Sequence, residues 1–114
     1  MPLIKMQTSA SIDAQKHDNI MKTLSDIVSK ETGKPGNYIM VTIEQTPIML
    51  AEKSGNAVLF DIRGIGGLTQ SVNAAITERL CQFCATEFNI PPERVYANFT
   101  DVPRSNWGWN SNTF

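Results

Sequence analysis

The same succession of patterns occurs twice along the chain, and this repeat restricts the fold more than any other feature. In each half, a run typical of a strand is followed by a helix pattern and then by a second strand. The strand runs are residues 2–8 and 38–43 in the first half, and residues 57–62 and 95–99 in the second. Two such β-α-β units predict an α+β fold in which a four-stranded mixed sheet carries both helices on one face.

The helix patterns consist of apolar residues that recur at spacings of three and four, which places them on one stripe. The first stripe is Ile20, Leu24, Ile27 and Val28, and the second is Val72, Ile76, Leu80, Phe83 and Phe88. Ser11 or Asp13 is the predicted cap of the first helix, and Gly33 is its predicted left-handed end. The second helix is predicted to stop at Pro91-Pro92.

The sheet face opposite the helices requires a partner in this interpretation. Residues 38–43 read as a strand that is apolar enough to be buried on both faces, whereas two helices cover only one. Because a small domain buries its surface poorly alone, self-association is the direct solution. The segment Trp107-Gly108-Trp109 suits a short C-terminal strand added to a neighbour's sheet edge. A tail packed on its own domain explains the same segment equally well.

Length and charge exclude several classes of protein. The 114 residues fit one domain, residues 1–114. A formal net charge of −1 with no basic tract gives no support to nucleic-acid binding. No apolar run approaches the ~20 residues of a membrane span, and no signal peptide is evident. Two cysteines in a chain without a leader indicate a cytoplasmic location, with leaderless export as the alternative.

Pro2 is the candidate for chemistry at the start of the first strand. If Met1 is removed, Pro2 carries a free secondary amine, and a chain amine has an ordinary pKa of about 7.7–8.0. An apolar pocket or a nearby cation lowers that pKa because both disfavour the protonated form. Such an amine can act as a general base near neutral pH. The alternative is that Pro2 only fixes the start of a strand.

Cys81 and Cys84 form a Cys-x-x-Cys pair inside the second predicted helix. Redox pairs of this kind normally lie at a helix N-terminus, so we interpret these two as buried structural thiols. They and the lone His17, which is expected at the surface of the first helix, do not make a four-ligand metal set. We therefore expect no metal and no cofactor.

Several short segments, in their order and spacing, resemble the macrophage migration inhibitory factor family of the tautomerase superfamily along essentially the whole chain. These segments are residues 1–4, 32–35 with 38–39, 65–67, 92–96 with Asn98, and 108–110 with 113–114. The resemblance implies a homotrimer in which three sheets surround a central barrel. It also implies an active site at each subunit interface, with the processed Pro2 as the base. The family tautomerises phenylpyruvate-type acids and dopachrome-like compounds.

The resemblance also implies roles for further residues. Lys34 matches a lysine that holds the substrate carboxylate, and its alternative is a solvated lysine at a helix end. Ile62 matches a position whose backbone N–H contacts the substrate, and it also reads as a core residue. Tyr96 and Asn98 match residues that reach into a neighbour's pocket, with interface packing as the alternative. The aromatic pocket walls would be Tyr38, Trp107, Trp109 and Phe114. The alternative for each of these residues is packing in the core.

Two departures from the family pattern limit what can be carried over. Residues 54–57 replace a Cys-x-x-Cys pair that some members link to thiol-redox activity, so that activity is not expected here. Residues 49–53 look shorter and less glycine-rich than in the family, which leaves the preferred substrate open. The leading prediction is an isomerase acting on an aromatic keto or enol acid. The alternative is a cytokine-like signalling protein that keeps the trimer and pocket without relevant turnover.

Overall fold

The computed structural model describes residues 2–114 and confirms the repeated order of elements. The first unit comprises strand β1 (Leu3–Thr8), helix α1 (His17–Thr32) and strand β2 (Met40–Gln45). The second comprises strand β3 (Val58–Gly64), helix α2 (Gln70–Phe88) and strand β4 (Val95–Asp101). The chain ends in two short strands, β5 (Gly108–Trp109) and β6 (Asn112–Thr113).

The two units join edge to edge into one four-stranded mixed sheet with the strand order β2-β1-β3-β4. Within each unit the two strands are parallel, as a helical crossover requires. Between the units, β1 and β3 run antiparallel, with Ile4 opposite Ile62. The predicted fold class, α+β with two β-α-β repeats, is therefore confirmed.

Both helices pack on one face of the sheet, and the core lies between them. Alternate residues of β1 (Ile4, Met6 and Thr8) are completely buried on this side. The predicted stripe of α1 is buried as a whole, whereas in α2 the buried residues are Ile76, Leu80 and Cys84. Val72, Phe83 and Phe88 are only partly buried beside them.

The sheet face opposite the helices is open to solvent in the single chain. Strand β2 begins at Met40 because a 3-10 turn, Gly36–Tyr38, precedes it. Met40 is 64% exposed, and Thr42 and Glu44 are exposed beyond it, so only alternate residues pack on the core. The predicted start of this strand at residue 38 was wrong, because the 3-10 turn occupies Gly36–Tyr38. Burial of its outward face against a partner chain stays a prediction.

The C-terminal end of α1 lies directly before Lys34, and a capped 3-10 turn leads into its N-terminal end. Helix α1 ends at Gly33, which has the predicted left-handed conformation (φ 73°) and whose N–H donates to the Ser29 carbonyl at 2.9 Å. Asp13 caps the 3-10 turn that leads into α1. His17 was expected at the surface but is partly buried at the start of α1, and its Nε2 atom is enclosed.

The C-terminal strand pairs within its own chain. Strand β5 pairs antiparallel with β6 through a tight turn in which Asn110 and Ser111 both have positive φ values (52° and 68°). Such turns match the twist of a two-residue hairpin. Pairing of this segment with a neighbour's sheet remains a prediction. Within residues 2–114, neither helix combines the length and the apolar character that crossing a bilayer requires.

Candidate active site at the aromatic end of the sheet

Pro2 is held at the beginning of β1 by the parallel pairing with β2. Its carbonyl accepts a hydrogen bond from the Met40 N–H at 3.1 Å, directly before the pairing of Leu3 with Met40. The Pro2 side chain is less than 2% exposed. The predicted removal of Met1 lies outside the described residues.

Pro2 lines a cleft of about 810 Å³, which we call the proline cleft. Most of its other walls come from the segment before β2 and from the C-terminal segment. They are Leu3, Asn37, Tyr38, Ile39, Met40, Trp107, Gly108 and Trp109. The structure thus brings three of the four predicted aromatic walls to the predicted base, in a space large enough for a ring-sized ligand.

The aromatic residues form one cluster around the C-terminal hairpin. Trp109 stacks on Phe114 with ring centroids 5.6 Å apart and meets Tyr38 edge-on at 6.0 Å. Both arrangements are favourable geometries for aromatic pairs. Tyr38 and Trp109 nevertheless remain 44% and 54% exposed. Both residues therefore keep exposed surface that an apolar ligand can contact.

Lys34 lines a second cleft, of about 290 Å³, which we call the cation cleft. Its other walls are Pro35, Tyr38, Ile65, Arg104, Trp109 and Phe114. Tyr38 and Trp109 line both clefts, so these two rings are the wall that the clefts share. In the single chain, the predicted base lines one of these clefts and the predicted carboxylate clamp lines the other.

The ammonium group of Lys34 is already engaged by the glycine-rich bend that follows β3. It donates to the carbonyl oxygens of Ile65 and Gly66, the second at 2.8 Å. Partial burial lowers the pKa of Lys34 below its ordinary value of 10.5, and the carboxylate of Asp101 acts in the opposite direction. Since an ammonium has three donors, one remains for a ligand carboxylate.

Asp101 completes this arrangement from the end of β4. Its Oδ1 accepts a hydrogen bond from the Gly66 N–H at 2.8 Å. The bend is therefore held from both sides, by a cation on its carbonyls and by an anion on its amide. We name the bend and its two partners, residues 64–67 with Lys34 and Asp101, the lysine loop.

The three remaining predicted site residues lie away from both clefts. Ile62 is completely buried in the central strand β3, as the alternative core interpretation expects. Tyr96 is 60% exposed and Asn98 is exposed two residues further along β4. Both point away from the helices, so they share the sheet face opposite the core.

Sequence reasoning missed three residues at this end of the molecule. Asn37 lines the proline cleft, Arg104 lines the cation cleft and Asp101 holds the lysine loop. Arg104 stands in a polar and aromatic C-terminal segment, and that composition was the available signal. Nothing in the sequence links Asp101 to Gly66, because the contact joins residues 35 positions apart.

The cysteine pair lies outside both clefts. Burial raises the pKa of Cys84 to about 12, to which the neighbouring Cys81 contributes, and burial also raises the pKa of Cys81. Thiols of high pKa are poor nucleophiles and poor metal ligands. Within the described residues, no three His, Cys, Asp or Glu side chains are grouped as metal ligands.

Comparisons with known proteins agree over the full length of the chain. A sequence model of the family described as "Macrophage migration inhibitory factor (MIF)" matches residues 1–114. A relative of the same name from Xenopus laevis is 31% identical over 115 aligned positions, which cover 100% of this chain and 99% of the relative.

Solved structures give the same answer for the fold. The migration inhibitory factor homologue from Prochlorococcus marinus is 29% identical, with a TM-score of 0.91 and 98% of each chain covered. A related protein from Entamoeba histolytica is 26% identical, with a TM-score of 0.94 over 99% of this chain and 98% of that one. The similarity therefore includes the C-terminal hairpin that carries the aromatic cluster.

Proposed function

Because the chain belongs to the macrophage migration inhibitory factor family and has the tautomerase fold, we propose that it is a keto–enol tautomerase. Its substrates are phenylpyruvate-type 2-oxo acids and dopachrome-like compounds, and its general base is Pro2 after removal of Met1. It needs no metal and no cofactor for this reaction. The partner is therefore a small aromatic keto or enol acid.

The observation that carries this proposal is the position of Pro2 in an aromatic cleft. The proline ring is less than 2% exposed, and Tyr38, Trp107 and Trp109 line the same space. Apolar surroundings disfavour an ammonium ion, so they keep a proline amine in its neutral, basic form. The same rings offer a stacking surface for an aromatic substrate.

The reaction moves one proton between carbon and oxygen. In the keto-to-enol direction, the Pro2 nitrogen takes a proton from the carbon next to the carbonyl. The electrons of that C–H bond form the carbon–carbon double bond, the carbonyl π electrons move onto oxygen, and the protonated Pro2 nitrogen gives its proton to that oxygen. In the reverse direction the Pro2 nitrogen takes the enol O–H proton and delivers it to carbon. A single amine therefore serves as base and then as acid.

The carboxylate of the substrate requires a cation, and Lys34 is the residue that we propose binds it. One of its three N–H donors is free after its bonds to the Ile65 and Gly66 carbonyls. A ligand that contacts both Pro2 and Lys34 extends over both clefts, along Tyr38 and Trp109, which line each of them. We propose that the backbone N–H of Ile62 also contacts the substrate carboxylate, as the family pattern implies.

We further propose that the working unit is a homotrimer. Tyr96 and Asn98 are exposed on the sheet face away from the core, and neither lines the proline cleft or the cation cleft. Both side chains are therefore available to complete the proline cleft of a second copy. Sedimentation equilibrium of the purified chain tests this, and a monomer at micromolar concentration would contradict it.

The test of the base combines mass spectrometry with an ultraviolet assay on phenylpyruvate. The intact mass first establishes that Met1 is absent. Pro2→Gly should lower kcat/KM by about 10²-fold or more, the usual contribution of a positioned general base. An alanine inserted before Pro2 converts its nitrogen into an amide and should abolish turnover. Pro47→Gly is the matched control, because Pro47 is exposed and lines neither cleft.

Equal rates for wild type and Pro2→Gly would remove Pro2 as the base. No turnover by a trimer with an uncapped Pro2 would instead favour the alternative function, a signalling protein that keeps the pocket. That alternative predicts binding of aromatic acids without their conversion, which the same protein samples can show by calorimetry.

A further inference from the structure

Arg104 lines the cation cleft but has no role in the proposed reaction. It begins the 3-10 turn Arg104–Asn106, which follows Pro103, and its carbonyl accepts a hydrogen bond from the Trp107 N–H at 3.3 Å. Trp107 in turn accepts a hydrogen bond from the Phe114 N–H at 3.2 Å. The backbone of Arg104 is thus tied to the C-terminal hairpin that supplies the aromatic cluster.

The Arg104 side chain has no protein partner among residues 2–114. It makes no ion pair and no hydrogen bond there, and the residue is exposed. Two of the other three arginines show the contrast, whereas Arg79 on α2 is also unpaired among the described residues but lines neither cleft. Arg63 is paired with Asp61 at 3.0 Å, and Arg94 donates to four backbone carbonyls. A guanidinium has five donors in a planar fork that fits a carboxylate in bidentate fashion.

The cation cleft contains two cations and no acidic side chain in its walls. Lys34 uses two of its N–H donors for hydrogen bonds within the lysine loop, and the negative charge of Asp101 partly offsets its positive charge. It therefore offers one hydrogen bond to one carboxylate oxygen. Arg104 offers its whole guanidinium to a second anionic group. Tyr38, Trp109 and Phe114 between them give the cleft an apolar, ring-sized wall.

We infer that Arg104 is a specificity-determining residue that binds a second carboxylate of the substrate. The preferred substrate would then be an aromatic 2-oxo acid with an additional carboxylate, and the ring position opposite the keto acid is the one to be tested. This inference rests on the proposed function for the reaction itself. The binding of a dicarboxylate at Arg104 does not depend on turnover, so the two are tested separately.

The kinetic arm compares phenylpyruvate with 4-carboxyphenylpyruvate, which differ only in the second carboxylate. Arg104→Gln should raise KM for the dicarboxylate about tenfold, because a charge-assisted bidentate pair is lost, and should leave phenylpyruvate unchanged. Arg104→Lys keeps the charge but not the fork, so its KM should lie between. Lys22→Gln removes one exposed charge from α1 and should change neither substrate.

The binding arm uses benzoate and benzene-1,4-dicarboxylate, which cannot tautomerise, with isothermal titration calorimetry as the readout. Wild type should bind the dicarboxylate more tightly, and Arg104→Gln should remove that difference. Wild-type turnover with an equal effect of Arg104→Gln on mono- and dicarboxylates would overturn the inference. Failure of the proposed function would appear as no turnover of either keto acid, while the preference for the dicarboxylate and its dependence on Arg104 persist.

Discussion

Two adjacent glycines in the lysine loop allow the position of Lys34 to be tested without changing Lys34. Gly66 and Gly67 both have left-handed φ values, 70° and 81°. A Cβ atom on Gly67 would lie 3.3 Å from Cε and 3.7 Å from Nζ of Lys34, whereas a Cβ atom on Gly66 would meet nothing within 4 Å. Gly66→Ala and Gly67→Ala should therefore lose similar stability from placing an L residue at a left-handed φ. They differ because only the Gly67 variant brings a Cβ atom against Lys34.

The expected magnitudes follow from these two terms. An L side chain in the left-handed region costs about 1–2 kcal/mol, and a stiffer unfolded chain returns about 0.4–1 kcal/mol. Each variant should thus lose roughly 1 kcal/mol of unfolding free energy, or a Tm decrease of about 4 °C for a chain of this size. In Gly67→Ala, the end of Lys34 must also move by a few tenths of an ångström. That displacement lengthens its bonds to the Ile65 and Gly66 carbonyls.

The assay combines thermal unfolding at one protein concentration with the kinetics of phenylpyruvate. Both variants should unfold at similarly lowered temperatures. Only Gly67→Ala should raise KM, by about threefold to tenfold, because a misplaced clamp forfeits part of a charged hydrogen bond. Equal KM values for the two variants would refute the reasoning. Lys34 would then not hold the substrate, or its position would not depend on the loop.

Two further predictions concern the charge beside Lys34 and the thiols of α2. Asp101→Asn removes the anion that raises the pKa of Lys34, so the alkaline limb of the pH profile of kcat/KM should move to lower pH. An unchanged alkaline limb would contradict the role of protonated Lys34 in binding the substrate carboxylate. Cys84, with a pKa of about 12, should be about 0.01% thiolate at pH 8. Iodoacetamide should therefore leave it unmodified in the native chain and alkylate it in urea, and rapid native labelling by mass spectrometry would be the opposite result.

The elements that sequence reasoning placed correctly are those with local causes. The apolar stripes fix the two helices because a buried helix face requires that spacing. Gly33 ends α1 because a left-handed residue without Cβ is unstrained there. Tyr38, Trp107 and Trp109 were assigned to the wall beside Pro2 through the family resemblance. The structure places all three at that cleft.

What sequence reasoning could not supply depends on contacts between distant residues. Lys34 was predicted to be free for a carboxylate, yet it also bonds to a carbonyl 31 positions away. The division of the site by Tyr38 and Trp109 into two clefts is likewise a property of the assembled chain. The start of β2 was predicted two residues too early because the 3-10 turn Gly36–Tyr38 has no clear signal in the local sequence.

The two repeats are equivalent in fold but differ in how completely each uses the cation near its helix exit. In the second repeat, Arg94 ends the 3-10 turn before β4 and donates to the carbonyls of Leu50, Lys53, Gly55 and Asn56. Four of its five donors are thus spent on the connection between the repeats. Arg94 is therefore a structural residue.

In the first repeat, Lys34 stands two residues before the equivalent 3-10 turn and donates to two carbonyls of the lysine loop, which belongs to the second repeat. Its remaining donor has no protein partner among the described residues. The cation near the helix exit is thus nearly saturated in one half and unsaturated in the other, although Arg94 ends its turn whereas Lys34 precedes its own. Because the unsaturated cation is anchored by the second repeat, the first repeat alone would not hold Lys34 in the geometry that binds a carboxylate.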